Sequence, residues 1–264
     1  IDQIHKGIIQ SDTTNFSHLF DYASFLSTQN RLDQAALWDQ KAIQHSKTDA
    51  NKVDALQVMG EIFYKQNNDE ASIEYLQKSL AVANMLKTNA PSEYKRVVTY
   101  PLNTLGNLYI DQSEFDKAEA LLIECADIRK ELVEADSSYL ADYARALNNL
   151  GEMYRSSFDK GRDSASFANA LRYYNESIAL RKELARDNTA VSEYYLANTY
   201  NNKGALFTVR GFADSAIAYL SLANEIFERI YLRNPDYFGE FLINNINNLG
   251  LVYSKAKLYD KSKK

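Results

Sequence analysis

The sequence predicts an all-α solenoid of stacked helix pairs, and three observations point to it. Glycine and proline are scarce, with 9 and 3 copies in 264 residues, so few turns need special backbone angles and long helices can run unbroken. A sandwich or barrel would require many Gly/Pro turns. An eight-residue phrase recurs along the chain, and a second small residue follows each copy at a fixed offset.

The phrase is fullest at Leu102-Asn103-Thr104-Leu105-Gly106-Asn107-Leu108-Tyr109. It returns over Leu147–Tyr154, Tyr200–Phe207 and Ile246–Tyr253, and more loosely over Leu56–Phe63 and Leu19–Leu26. Its small residues are Ala23, Gly60, Gly106, Gly151, Gly204 and Gly250, spaced by 37, 46, 45, 53 and 46. Twelve residues after them come Ala35, Ser72, Ala118, Ala216 and Ser262. In the fourth repeat the equivalent is Ala170, seven residues late. Seven extra residues within Ser156–Ser166 explain both the delay and the spacing of 53.

Each repeat therefore reads as two helices. Leu102, Leu105 and Tyr109 share one face of the first, and Phe115, Ala118, Leu122 and Cys125 share one face of the second. A polar turn, Asp111 to Glu114, separates them. Glycine inside a helix costs about 0.5–1 kcal/mol against alanine, so glycine at one register in all four of the fuller copies, Gly106, Gly151, Gly204 and Gly250, implies a shared need for close helix approach. One pair cannot bury its apolar face alone, so neighbours must stack.

In order, the expected repeats cover roughly 16–48, 52–90, 93–135, 138–187, 192–233 and 237–264, the last incomplete, in a single solenoid spanning 1–264. Residues 1–15 read as the end of a preceding helix, with Ile1, Ile4 and Ile8 on one face. Pro101 either kinks the first helix of the third repeat or marks its start. Asn89–Ser92 and Arg233–Asp236 read as turns between repeats, and Ser156–Ser164 as a lengthened loop. Tyr94, Tyr139, Tyr194 and Phe238, ten or twelve residues before their glycines, are expected as core staples. The terminal repeats lack a polar cap, which suggests part of a larger protein.

With the phrase laid out, the chain resembles the tetratricopeptide repeat: large apolar, Leu, Gly, aromatic, Ala, Leu, then a small residue. The third repeat carries the pattern in Leu102, Leu105, Gly106, Tyr109, Ala118, Leu122 and Cys125. The long period and the Leu-Asn-Asn-Leu-Gly phrase are similar to the kinesin-light-chain-like class and to bacterial arrays of that type. The resemblance implies a right-handed superhelix of antiparallel helix pairs. It also implies that the first helices line a concave groove that holds a peptide or protein segment.

Composition narrows the partners. The net charge is −5, which disfavours nucleic acid, since phosphate binding needs a dense basic surface. The one basic cluster, Lys255, Lys257, Lys261, Lys263 and Lys264, reads as a solvated end. No apolar run is long enough to span a membrane. The single cysteine, Cys125, allows no internal disulfide and is expected to be buried and inert. The cytoplasm is the expected compartment; the chain begins at Ile1 rather than Met, so an exported origin stays open.

No chemistry is expected. His5, His18 and His45 lack metal-ligand spacing, and there is neither a GxxxxGK[ST] nor a GxGxxG phosphate loop. The chain is expected to be no enzyme, to take no cofactor or metal, and to be a monomer.

The expected binding residues lie on the first helices. Three positions before each glycine come Gln57, Asn103, Asn148, Asn201 and Asn247, an amide row. Six before come Tyr100, Arg145, Asn198 and Asn244; one after come Asn107 and Glu152; four after come Tyr64 and Arg155. An amide offers both donor and acceptor and can pair with any peptide backbone. The same amides can equally hold repeat to repeat. A second row, Asn149, Asn202 and Asn248, is read as mainly structural. The leading expectation is a protein-interaction scaffold. The alternatives are a regulatory or sensor region of a larger signalling protein or enzyme whose catalytic domain lies outside this chain, and a structural spacer or self-assembly unit.

Overall fold

The computed structural model describes residues 14–161, 164–187 and 189–262, with side chains in the last stretch as far as 256. The readings made on Ile1–Gln10 and on Lys263 and Lys264 lie outside the described residues. Eleven α-helices are seen among the described residues. They are α1 (Phe16–Thr28), α2 (Leu32–His45), α3 (Asp49–Lys65), α4 (Asp69–Asn89), α5 (Pro91–Asp111), α6 (Phe115–Ala135), α7 (Leu140–Asp159), α8 (Ser164–Leu184), α9 (Ala190–Arg210), α10 (Ala213–Tyr231) and α11 (Pro235–Ser262). Short 3-10 turns, Ser137–Tyr139 and Ala185–Asp187, precede α7 and α9. Two compact units divide the chain between Leu132 and Val133.

Within each unit, consecutive helices pack against each other. First helices also touch the first helix of the next repeat: α1 meets α3 and α3 meets α5, while α7 meets α9 and α9 meets α11. This is the contact pattern of an all-α solenoid.

The helix breaks follow from local chemistry. Asn15, Thr48, Asn68 and Thr189 cap helix starts, each side chain accepting the N–H three residues on. Pro91 and Pro235 open α5 and α11, where the missing N–H is harmless. Pro101 lies within α5, so it does not mark that helix's start. The turn from first to second helix passes through one left-handed residue: Asn30, Asn67, Ser113 or Gly211, with φ of 56°, 57°, 60° and 82°. Each stands seven residues after the small residue of its repeat. The next N–H then reaches back to close the turn, as Arg31 does to the Leu26 carbonyl at 2.9 Å and Glu114 to Tyr109 at 2.8 Å.

The glycines work by contact. A Cβ on Gly60, Gly106 or Gly204 would stand 2.6–2.7 Å from Cγ of Leu76, Leu122 or Leu220, sixteen residues on. On Gly151 it would stand 2.6 Å from the ring of Tyr174, seven residues later than that register. The seven-residue insertion is thus visible in packing. It is less of a loop than the sequence suggested, because α7 runs on to Asp159 and α8 starts at Ser164. Arg162 and Asp163 lie outside the described residues.

Second helices are tied down at one further register. Ser79, Cys125 and Ser177 donate to the carbonyls of Val53, Thr99 and Ala144, at 2.9, 3.2 and 2.7 Å. Each of those carbonyls lies seven residues before its glycine. Ala42 and Ala223 occupy the same place and are buried without such a bond to make. Tyr94 and Phe238 are buried, and Tyr194 packs into a cluster with Phe227 and Phe238. Tyr139 is half-buried in its 3-10 turn.

Asp39 breaks the pattern. It stands sixteen residues after Ala23, where the other repeats place Leu76, Leu122, Tyr174 and Leu220. Its carboxyl is fully buried with no hydrogen-bond partner for either oxygen. Burial pushes its pKa up to about 8.

Candidate functional site

The first-helix face of the first unit is built from α3 and α5. Gln57 is buried and donates to Glu61. Thr104 reaches the same Glu61 carboxylate at 3.4 Å, and the Tyr64 hydroxyl donates to Asp111 at 2.7 Å. That bond, with some burial, pushes the Tyr64 phenol up to about 12. Arg96 pairs with Asp54 at 3.8 Å. These three links join α3 to α5 across this face. Asn103 and Asn107 are half-buried between these links, and the rings of Tyr64 and Tyr100 are exposed.

In the second unit the links between first helices are amides. Asn202 donates to Asn148 Oδ1 at 3.3 Å. Asn245 and Asn248 both donate to Asn201 Oδ1 at 3.1 Å, and Asn245 also reaches the Leu220 carbonyl. Two of the predicted row, Asn148 and Asn201, thus accept from the following first helix. Asn148 is only 6% exposed. Asn198 is half-buried, and Asn244 and Asn247 are exposed.

The charges here are paired within helices. Arg145 donates to Asp142, and Arg155 donates to Glu152, which also accepts the Tyr174 hydroxyl at 3.0 Å. Burial by itself would lower the Arg155 pKa, but its bonds to Glu152 and Tyr174 hold it above the ordinary value. Burial and Glu152 raise the Tyr174 phenol well above its usual range.

On the second unit's face Arg145 and Arg155 are thus paired with Asp142 and Glu152, whereas on the first unit's face Glu61 and Asp111 accept from the neutral donors Gln57, Thr104 and Tyr64. The sequence reading did not find Arg129 and Arg181, both buried on second helices, four residues after Cys125 and Ser177. The available signal was a charge in a register that elsewhere holds Ala83 and Phe227. Among the described residues no His/Cys/Asp/Glu group could hold a metal ion, and no helix is long and apolar enough to cross a membrane. Cys125 is buried.

Comparison with known proteins adds two kinds of likeness. Family models described as tetratricopeptide repeat match residues 53–84 and 102–139. Among solved structures, BtubC (BKLC) from P. vanneervenii is similar over 88% of both chains, with 16% identity and a TM-score of 0.67. A Podosopora anserina putative kinesin light chain with nearly identical TPR-like repeats, in a single-substitution form, matches 81% of this chain and 94% of its own, at 12% identity and TM-score 0.57. A Rap protein complexed with competence and sporulation factor matches 97% of this chain and 70% of its own, at 15% identity and TM-score 0.56. These likenesses concern the fold. No curated protein matches in sequence.

Proposed function

Because the chain is a tetratricopeptide-repeat protein, we propose that it is a protein-interaction scaffold that takes an extended or helical polypeptide segment along the faces of its first helices. The observation that carries this reading is the composition of those faces. They are polar, with Arg96, Arg145 and Arg155 each paired to a carboxylate, and they carry exposed tyrosine rings beside amides. Tyr64, Tyr100 and Tyr195 are exposed, as are Asn244 and Asn247. Tyrosine supplies large contact area at low entropic cost, and amides adapt their hydrogen bonds to a backbone. The Rap protein of similar fold was solved in complex with a factor, which fits a binding role for the architecture.

The first-helix amides divide by role in this reading. Asn148 and Asn201 hold one first helix to the next, whereas Asn198, Asn244 and Asn247 meet the bound segment. Catalysis has no part in it. A peptide array probed with the chain tests the idea. Ligands selected by the wild type should lose at least tenfold in affinity for the Asn244→Ala/Asn247→Ala double variant while helicity is unchanged. Equal affinity in the double variant refutes the groove.

A further inference from the structure

A cavity of about 290 Å3 opens in the second unit between the start of α7, the end of α8 and the start of α9. Its apolar walls are Ala141, Leu184, Val191 and Tyr195, and Arg145 and Arg181 both border it. Arg181 is only 3% exposed. Its Nη1 donates to the Tyr195 carbonyl and, at 2.6 Å, to the Thr199 hydroxyl. No described carboxylate lies within ion-pair reach of it. Burial draws its pKa down to about 10, and the charge of Arg145 acts in the same direction.

A buried cation without a counter-ion is costly unless something compensates it. Arg129 occupies the same register in the first unit and lies at 3.5 Å from the Thr99 carbonyl and 5.7 Å from the Tyr100 ring. Arg181 reaches forward to the next first helix and borders the open cavity. The two aspartates in the cavity wall are already engaged. Asp142 accepts from Arg145, and Asp187 accepts from the Ser192 hydroxyl at 2.5 Å and the Thr189 N–H at 3.0 Å. Those bonds hold the Asp187 carboxyl below its usual range, so it stays ionised.

We propose that this cavity binds a small organic monocarboxylate with an apolar body, its carboxylate on Arg181 and Arg145 and its chain against Leu184, Val191 and the Tyr195 ring. A guanidinium and a carboxylate match in charge and fork geometry. The engaged aspartates repel a second negative charge, which disfavours phosphate esters and dicarboxylates. A free acid and the carboxyl end of a polypeptide present the same group. This site goes beyond the scaffold reading and shares only Arg145 and Tyr195 with it, so either can fail alone.

Calorimetric titration of the full chain decides it, with 3-phenylpropanoate, its amide and phenyl phosphate as probes. The acid should bind at least tenfold more tightly than the amide and than the phosphate. Val191→Trp, at an exposed wall position, should abolish binding with the circular dichroism unchanged; Arg181→Met should also abolish it. Should Arg181→Met fail to fold, the Val191→Trp result stands by itself. The peptide Gly-Gly-Phe and its C-terminal amide separate the sources. Tighter binding of the free-carboxyl peptide than of 3-phenylpropanoate assigns a polypeptide end, and weaker binding assigns a free acid; both support the site. No binding of the acid at millimolar concentration, equal binding of acid and amide, or full binding by Val191→Trp overturns it.

Discussion

Substituting Gly151 by alanine sets two effects of opposite sign against each other. Alanine in a helix interior gains about 1 kcal/mol over glycine. Here the new Cβ would stand 2.6 Å from Cδ1 and Cε1 of Tyr174, about 1 Å inside normal carbon contact. The ring cannot swing clear, because it is fully buried and its hydroxyl is tied to Glu152 at 3.0 Å. Overpacking of this kind costs about 1–3 kcal/mol, and a rigid enclosed ring belongs at the upper end. The net loss is about 2 kcal/mol, or about 4–8 °C in melting temperature for a chain of this size. Gly250 is the control: it has the same register, but a Cβ there meets nothing within 4 Å. Gly250→Ala should therefore stabilise by about 1 kcal/mol. Thermal and urea melts followed by circular dichroism of the helical signal measure both. A Gly151→Ala protein as stable as wild type, or a Gly250→Ala protein destabilised to the same degree, would refute the packing rule.

Asp39→Leu restores the residue type that other repeats place at that register and should raise the melting temperature at about neutral pH. Because the folded pKa is raised from 3.8 to about 8, the native state holds a proton that the unfolded chain releases. Stability should therefore fall as pH rises from about 4 toward about 8, by up to about 1.4 kcal/mol per pH unit, and Asp39→Leu should flatten that slope in melts across the range. Gly211→Ala, at φ 82° with open space around it, should cost about 1–2 kcal/mol through conformation alone, read by urea unfolding. Asn201→Ala removes the acceptor shared by Asn245 and Asn248 and should destabilise by about 1–3 kcal/mol in the same assay. Asn247→Ala, at an exposed position, should change stability by less than about 0.5 kcal/mol.

Much of the fold was legible because the repeat is written in small residues. Gly60, Gly106, Gly151 and Gly204 sit where a leucine or tyrosine side chain enters, and the chain cannot substitute freely there. The displaced Ala170 revealed an insertion that packing of Tyr174 reproduces. The length of α7 was not legible, because Ser156 to Asp159 looks like turn chemistry yet continues the helix. The site was harder to read. An asparagine has the same appearance in sequence whether it meets a ligand or a neighbouring amide. Only the cross-helix distances separate Asn148 and Asn201, which bond to the next helix, from Asn244 and Asn247, which are exposed. Arg181 escaped notice because only Arg129 shares its charge at that register, where other repeats hold Ala83 and Phe227.

Hydrogen exchange of the chain with and without an array-selected peptide tests the scaffold reading most directly. Protection should rise along α7, α9 and α11 and stay unchanged along α8 and α10. Protection confined to α8 and α10, with the first helices unaffected, would contradict it.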